Sequence, residues 1–79
     1  MIDNFAEALG KWLTEHRTEA GLTEAQIAER MGCTRQRINN WERGIRDMNA
    51  KDLFAYCEIV HADPAELAAF VRRLENAGL

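Results

Sequence analysis

Residues 21–44 read GLTEAQIAERMGCTRQRINNWERG and carry the signals of two short helices joined by a tight turn. Thr23 and Thr34 each precede a helical pattern, and a threonine hydroxyl caps the free backbone N–H groups at the start of a helix. Gln26, three residues after Thr23, completes a capping box. Gly32, between the two patterns, allows the left-handed backbone that ends a helix. The segment therefore predicts a helix, a turn and a second helix.

Similar start and stop signals occur on both sides of this segment. Asn49 stands before a helical pattern, and Asp63 is followed by Pro64, a residue favoured in the first turn of a helix. Apolar residues recur at helical spacing, and no alternation of apolar and polar residues indicates a strand. The sequence predicts helices at about residues 4–20, 24–31, 35–43, 50–61 and 64–77. We expect an all-α fold of five helices in a single domain over 1–79, with its core in 5–62 and the last helix completing it.

The composition indicates a globular chain rather than a membrane-spanning or disulfide-rich one. Hydrophobic residues make up 47% of the chain, yet no apolar run approaches the roughly 18–20 residues of a membrane span. The two cysteines, Cys33 and Cys57, suit small buried side chains, and we expect free thiols. The first residues lack the pattern of a signal peptide. We therefore expect a cytoplasmic protein with no membrane association.

Positive charge is concentrated in one part of an acidic chain. The formal net charge is −3, whereas residues 34–51 carry five basic and two acidic side chains. The flanking segments, 1–33 and 52–79, are both acidic. A locally basic face allows an acidic protein to bind a polyanion, although a solvated charged surface produces the same pattern.

The second helix of the opening segment is rich in side chains that match the edges of DNA bases. Its apolar stripe is reduced to Ile38 and Trp41, and arginine, glutamine and asparagine fill most other positions. Arginine pairs with guanine, and glutamine or asparagine with adenine, in each case through two hydrogen bonds. A merely solvated helix more often mixes Glu and Lys at i,i+4 spacing. We predict that the N-terminal part of this helix enters the major groove of double-stranded DNA.

A series of positions between Arg17 and Gly44 has the spacing of a known motif. These positions are Arg17, Gly21, Leu22, Thr23, Ile27, Ala28, Met31, Gly32, Cys33, Thr34, Arg35, Gln36, Ile38, Trp41, Glu42, Arg43 and Gly44. The pattern resembles the phage repressor and Cro family of helix-turn-helix proteins, also called the XRE family, from Leu9 to about Leu67. The resemblance implies a repressor-like DNA-binding domain with the helix-turn-helix at the second and third predicted helices. It also implies a transcriptional regulator, which we expect to be a repressor or autorepressor that binds an inverted-repeat operator.

The resemblance also implies roles for individual positions. Contact with base edges is expected of Arg35, Gln36, Arg37 and Asn40. Contact of the recognition helix and the following loop with DNA also covers Thr34, Arg43 and Arg46, which we expect at the DNA backbone, and we add Asn39 and Gln26 to this backbone set. Arg17 and Glu42 correspond to a structural ion pair of the family, and we favour that role over direct DNA contact.

Three positions depart from the family pattern. Glu24 stands where glutamine commonly donates to a phosphate, and a carboxylate would repel one. Gln26 and Arg30 are candidates to replace that contact. Met48 stands where proline is common, and His16 where a branched aliphatic residue is common. Glu24 concerns the anchoring of the second helix, and none of the three departures changes the interpretation of the third.

The last two predicted helices carry more apolar side chains than a small core needs. We expect a homodimer through this surface, the alternative being that the last helix only completes a monomeric core. The candidate dimer face consists of Phe54, Ile59, Leu67, Phe70, Val71 and Leu74. Tyr56 belongs to the same apolar excess. A twofold dimer would hold its recognition helices about 34–36 Å apart, which is one turn of DNA.

Other classes of function have weaker support. Cys57 and His61 stand at i,i+4 but supply only two ligands, so we expect no metal and no cofactor. Neither His16 nor His61 has a plausible nucleophile partner, so we expect no catalytic residues and no enzyme activity. We expect Trp12 and Trp41 in the core. The alternative function is an antitoxin-like module that neutralises a partner protein and also autorepresses.

Overall fold

The computed structural model describes residues 4–77 and contains five α-helices in that range. They are α1 (Phe5–Glu19), α2 (Glu24–Met31), α3 (Arg35–Glu42), α4 (Ala50–Val60) and α5 (Pro64–Asn76). No strand occurs between residues 4 and 77, which confirms the all-α prediction. Every helix boundary lies within one residue of its predicted position. The ends of the predicted domain, 1–3 and 78–79, lie outside the described residues.

The predicted capping residues hold the starts of α2 and α3. The Thr23 hydroxyl accepts a hydrogen bond from the Gln26 backbone N–H at 3.1 Å. The Gln26 side-chain oxygen in turn accepts from the Thr23 backbone N–H at 2.8 Å, which confirms the capping box. Thr34 Oγ1 accepts from the Arg37 backbone N–H at 3.1 Å. Both helices of the segment therefore begin at side chains that the sequence identifies.

Side-chain caps also occur at the starts of α4 and α5, and two helix ends have a backbone conformation that the sequence does not predict. Asn49 and Asp63 accept backbone hydrogen bonds at the starts of α4 and α5. Asn4, before α1, has a left-handed backbone (φ 61°) and makes no side-chain cap. His61 ends α4 with φ 62°, a conformation for which glycine is the usual residue. Neither conformation is indicated by the sequence pattern.

The core lies among α1 to α4, where α3 and α4 each pack on both α1 and α2. The largest fully buried side chains are Leu13, Ile27, Ile38, Tyr56 and Cys57. Each of the first four helices contributes at least one of them. Trp12 and Trp41 are also buried, as expected. None of the described helices is both long enough and apolar enough to cross a membrane.

α5 packs on α1 through side chains. Leu67 joins the buried cluster, and the Phe70 ring lies 5.9 Å from the ring of Trp12. The His16 ring centroid lies 4.2 Å from that of Trp12 with the rings tilted by 50°, and His16 Nε2 lies 3.9 Å from Glu66 Oε2 on α5. His16, one of the departures from the family pattern, therefore bridges α1 and α5.

α1 approaches the end of α3 directly at Gly10. A Cβ atom at this position would overlap the carbonyl oxygen of Glu42 and lie 2.8 Å from that of Trp41. Both neighbours are backbone atoms, which cannot turn aside as a flexible side chain would. Glycine is therefore required for the two helices to meet, a role that we did not predict from the sequence.

The apolar excess on α4 and α5 is smaller than we predicted. Tyr56 is fully buried, so its placement among the excess apolar residues was wrong. Leu67 and Leu74 are buried within one chain and are core residues rather than an exposed face. Ile59, Phe70 and Val71 are half-buried. Phe54 is the strongly exposed member of the set, at 54% of its surface. The homodimer remains a prediction, and its candidate face is reduced to the surroundings of Phe54.

Candidate nucleic-acid interface

The carboxylate of Glu42 fixes the C-terminal end of α3 to α1 and α4. Glu42 is only 8% exposed and accepts from Arg17 Nε at 2.8 Å and Arg17 Nη2 at 3.0 Å. The Tyr56 hydroxyl donates to Glu42 Oε2 at 2.6 Å, and Thr14 Oγ1 lies 3.1 Å from Oε1. Arg17 also donates to the Leu22 carbonyl at 3.0 Å. The expected ion pair between Arg17 and Glu42 is thus present and its side chains are largely buried. Tyr56 and Thr14 are two further partners of Glu42 that we did not predict.

This network raises the pKa values of Arg17 and Tyr56, in the directions that preserve it. The hydrogen bond with Glu42 raises the pKa of Arg17 against the opposing effect of burial. Burial, followed by the hydrogen bond with Glu42, raises the pKa of Tyr56 well above its ordinary value. Arg17 therefore stays charged and Tyr56 stays a neutral donor. The end of α3 is held by charge-assisted hydrogen bonds at any physiological pH.

The opposite, N-terminal part of α3 projects into solvent. Thr34, Arg35, Gln36 and Arg37 are exposed, and the Arg35 side chain has 72% of its surface accessible. Ile38, the next residue, is fully buried and seats the helix on the core. The exposed side chains therefore project from one face of α3, while the opposite face packs on the core.

Two of the residues predicted to bind base edges are hydrogen-bonded to each other. Gln36 Nε2 donates to Asn40 Oδ1 at 2.9 Å, across one turn of α3. The bond holds both amide groups on the same face of the helix. The Gln36 side-chain oxygen and the Asn40 side-chain nitrogen are not used by this bond, so the pair keeps both acceptor and donor capacity for a ligand.

Two further predicted DNA-binding residues meet the carboxylate of Glu24. Arg35 Nε lies 3.6 Å from Glu24 Oε1, an ion pair, and Asn39 Nδ2 donates to Glu24 Oε2 at 3.2 Å. The Glu24 side chain is only 14% exposed. We predicted that Glu24 would repel phosphate, but its contacts with α3 were not apparent from the sequence.

A polar groove lies between α3 and the beginning of α4. Its lining consists of Thr34, Gln36, Arg37, Asn40, Trp41, Arg46, Asp47, Asn49 and Asp52. Five of these residues are among those predicted to bind DNA, so the fold brings them to one surface. The two aspartates make the groove mixed in charge rather than uniformly basic.

Comparison with known protein families identifies the architecture. A family model described as a helix-turn-helix domain matches residues 8–70, which is most of the chain. The chain belongs to this family. Its helix-turn-helix consists of α2, the turn at Gly32 with φ 70°, and α3.

Similar proteins include one short sequence match and two crystal structures. A stretch of 32 residues is 53% identical to an uncharacterized HTH-type transcriptional regulator of Methanothermobacter thermautotrophicus, covering 40% of this chain and 46% of that protein. The matched part therefore spans under half of that relative. The clp gene regulator ClgR from C. glutamicum aligns with a TM-score of 0.76 and 26% identity, over 82% of this chain and 83% of that one. A second crystal structure of ClgR, from Corynebacterium glutamicum, aligns with a TM-score of 0.79 over 92% of this chain and 79% of that one. At 24% sequence identity, this second match shows similarity of fold only.

Two other residues predicted to contact the DNA backbone, Arg43 and Gln26, lie outside the groove. Arg43 is exposed just after α3 and does not line the groove. Gln26 is exposed, but its side-chain oxygen is engaged in the Thr23 capping box, which leaves its amide nitrogen for a phosphate.

Between residues 4 and 77, no group of three or more His, Cys, Asp or Glu could hold a metal ion.

Proposed function

We propose that this protein is a sequence-specific DNA-binding regulator of transcription that inserts the N-terminal part of α3 into the major groove. The observation that carries the proposal is the contrast along α3, which is exposed at Arg35 to Arg37 and locked at Glu42. A rigidly seated helix with exposed arginine and glutamine side chains suits the width and the hydrogen-bonding pattern of that groove. The regulators named among the similar proteins support the same function.

Within this function, one set of side chains contacts base edges and a second set contacts the DNA backbone. The base-reading set is Arg35, Gln36, Arg37 and Asn40. The set that contacts the DNA backbone is Thr34, Asn39, Arg43, Arg46 and Gln26. Contacts of the first kind carry sequence preference, about 1–3 kcal/mol for each good bidentate pair. Contacts of the second kind position the domain and cause affinity to fall with rising salt.

We further propose that the regulator acts as a repressor and binds as a homodimer. Repression requires only that the protein occupy a promoter and exclude other proteins. The exposed ring of Phe54 supports self-association, because a large apolar side chain gains from burial against a second copy. Two copies related by a twofold axis would require an inverted repeat with half-sites about one turn of DNA apart.

The decisive experiment is the selection of bound sequences from random duplex DNA at physiological salt. We expect one recovered motif arranged as an inverted repeat. Titration of the selected duplex should then show that Arg35→Ala weakens binding about 5- to 150-fold and relaxes the preference at one base pair. Arg72→Ala, which removes the same charge from the exposed side of α5, serves as the matched control and should change affinity less than about twofold. Unchanged binding by the double variant R35A/R37A would refute the assignment of α3.

A further inference from the structure

One carboxylate lies beside the DNA-facing side chains of α3 and contacts two of them. Arg35 and Asn39 are one helical turn apart and share a face of α3. Glu24, the first residue of α2, reaches both: its Oε1 lies 3.6 Å from Arg35 Nε, and its Oε2 accepts from Asn39 Nδ2 at 3.2 Å. An acidic side chain at this place is unexpected on a surface that meets a polyanion.

The charge of Glu24 is poorly screened, because only 14% of its side chain is exposed. Its influence extends to Arg17, whose pKa is raised mainly by the Glu42 hydrogen bond and to a smaller extent by the charge of Glu24. A phosphate brought to Arg35 would therefore also meet the negative charge of Glu24 at close range. The same charge has a much weaker effect on an uncharged hydrogen-bond acceptor.

Arg35 keeps its outer nitrogen atoms available while it contacts Glu24. The ion pair is made by Nε, and the Arg35 side chain as a whole is 72% exposed. The two Nη groups can donate side by side to a base edge, such as N7 and O6 of guanine, without breaking the contact of Nε. A base edge and Glu24 can therefore engage Arg35 together, whereas a phosphate and Glu24 repel each other.

We propose that Glu24 is a specificity-determining residue, which discourages Arg35 from binding phosphate and reserves it for an uncharged base edge. This inference rests on the proposed function. Glu24 lowers the affinity for DNA of arbitrary sequence more than the affinity for the operator. It acts through Arg35 and is a positioning residue rather than a contact of its own.

The test compares Glu24→Gln with the unaltered full chain on two duplexes, the selected sequence and a scrambled one, over about 50–200 mM salt. Glutamine preserves the size of the side chain and an oxygen for Asn39, and removes the charge. It also adds an amide donor that can itself reach a phosphate, and the R35A background described below distinguishes that direct contact from an effect through Arg35. We expect E24Q to bind the scrambled duplex about two- to fivefold tighter, with a smaller change on the selected duplex. The plot of log affinity against log salt for the scrambled duplex should steepen by about 0.9, the value for one additional phosphate contact.

Two further variants separate this mechanism from a general effect of charge. Glu29→Gln removes one negative charge from an exposed position of the same helix and should leave both affinities within about twofold of the unaltered chain. In the R35A background, the substitution E24Q should no longer tighten binding to the scrambled duplex, because its effect requires Arg35. Thermal unfolding verifies that each variant is folded at the temperature of the titration.

The outcomes are distinct. Equal effects of E24Q and E29Q, an equal gain on both duplexes, or a gain that persists without Arg35 would each overturn the inference and leave the proposed function intact. Failure of the unaltered chain to bind either duplex at low salt would overturn the proposed function, and the role of Glu24 with it.

Discussion

Replacing Glu42 with glutamine tests whether the buried carboxylate holds α3 in place. Glutamine keeps the volume and an oxygen that accepts from Tyr56, but it removes the charge that faces Arg17. The Arg17 side chain, 15% exposed, would then be a nearly buried cation without a carboxylate. Removing one partner of a buried pair costs about 3–5 kcal/mol. Because Arg17 retains its bond to the Leu22 carbonyl and some contact with water, we expect the lower end, about 3 kcal/mol.

This loss is large for a chain of 79 residues. The free energy of unfolding of such a domain is on the order of 4–12 kcal/mol. A loss of about 3 kcal/mol lowers Tm by about 12–24 °C, at about 4–8 °C for each kcal/mol. Urea unfolding followed by tryptophan fluorescence measures the change, since Trp12 and Trp41 are both buried in the core.

A double-mutant cycle separates the ion pair from the effect of altered packing. Arg17→Met alone should also cost about 3 kcal/mol, because it strands the carboxylate of Glu42. The double variant R17M/E42Q should cost at least about 2 kcal/mol less than the sum of the single variants, since neither charge remains. Glu29→Gln, the exposed control, should change stability by less than about 0.5 kcal/mol. Additive single effects, or a cost of E42Q below about 1 kcal/mol, would refute this reasoning.

Three other substitutions probe packing, ionisation and association. Gly10→Ala should lower the free energy of unfolding by about 2 kcal/mol. Overlap of the new Cβ with the Glu42 backbone costs about 3 kcal/mol, whereas the higher helix propensity of alanine returns only about 1 kcal/mol. Denaturant unfolding measures this, with exposed Glu15→Ala on the same helix as control, and a stabilised G10A would contradict the close approach. The raised pKa of Tyr56 keeps its hydroxyl neutral in the folded protein, whereas the unfolded chain ionises above about pH 10. The contribution of Tyr56 to stability should therefore be intact below that pH and fall by about 1.4 kcal/mol for each pH unit above it. Burial also raises the pKa of the Cys33 and Cys57 thiols, which lowers stability at alkaline pH in parent and variant alike. The fall should therefore be shallower in Tyr56→Phe than in the parent chain, and equal slopes would argue against this origin. Phe54→Asp should convert the predicted homodimer to a folded monomer in sedimentation experiments, and a monomeric parent chain would disprove the dimer.

The helices could be predicted because their signals are local. Thr23 with Gln26, and Thr34 at the next helix, satisfy backbone groups within a few residues of themselves. Gly32 supplies the turn with its positive φ. Each signal depends on a short stretch of chain, so the boundaries of five helices follow from sequence to within a residue. The exposed arginine and glutamine residues of α3 were identifiable for the same reason.

The unpredicted features depend on which way each helix faces its neighbours. Phe54 and Tyr56 are two residues apart on α4 and lie on opposite faces of the helix, but which of the two faces the core depends on how α4 is oriented against the other helices. The contact at Gly10 depends on where two helices cross, and the ion pair of Glu24 with Arg35 depends on the angle between α2 and α3. Helical periodicity defines a face with an uncertainty of about one residue, which is too coarse to decide these cases.

The cluster around Glu42 joins α1, α3 and α4 at a single point, and α5 supplies none of its members among the described residues. Separating α1 from α3 strands a charge in a poorly hydrated interior, and separating α4 removes the Tyr56 hydrogen bond from the buried carboxylate. We therefore expect the three helices to open as one cooperative unit. Detaching α5 exposes Leu67 and Phe70 but leaves every ionic contact of that cluster intact. We therefore expect the amide hydrogens of α5 to exchange with solvent at a lower free-energy cost than those of α1, α3 and α4, as the C-terminal helix undocks while the helix-turn-helix keeps its shape.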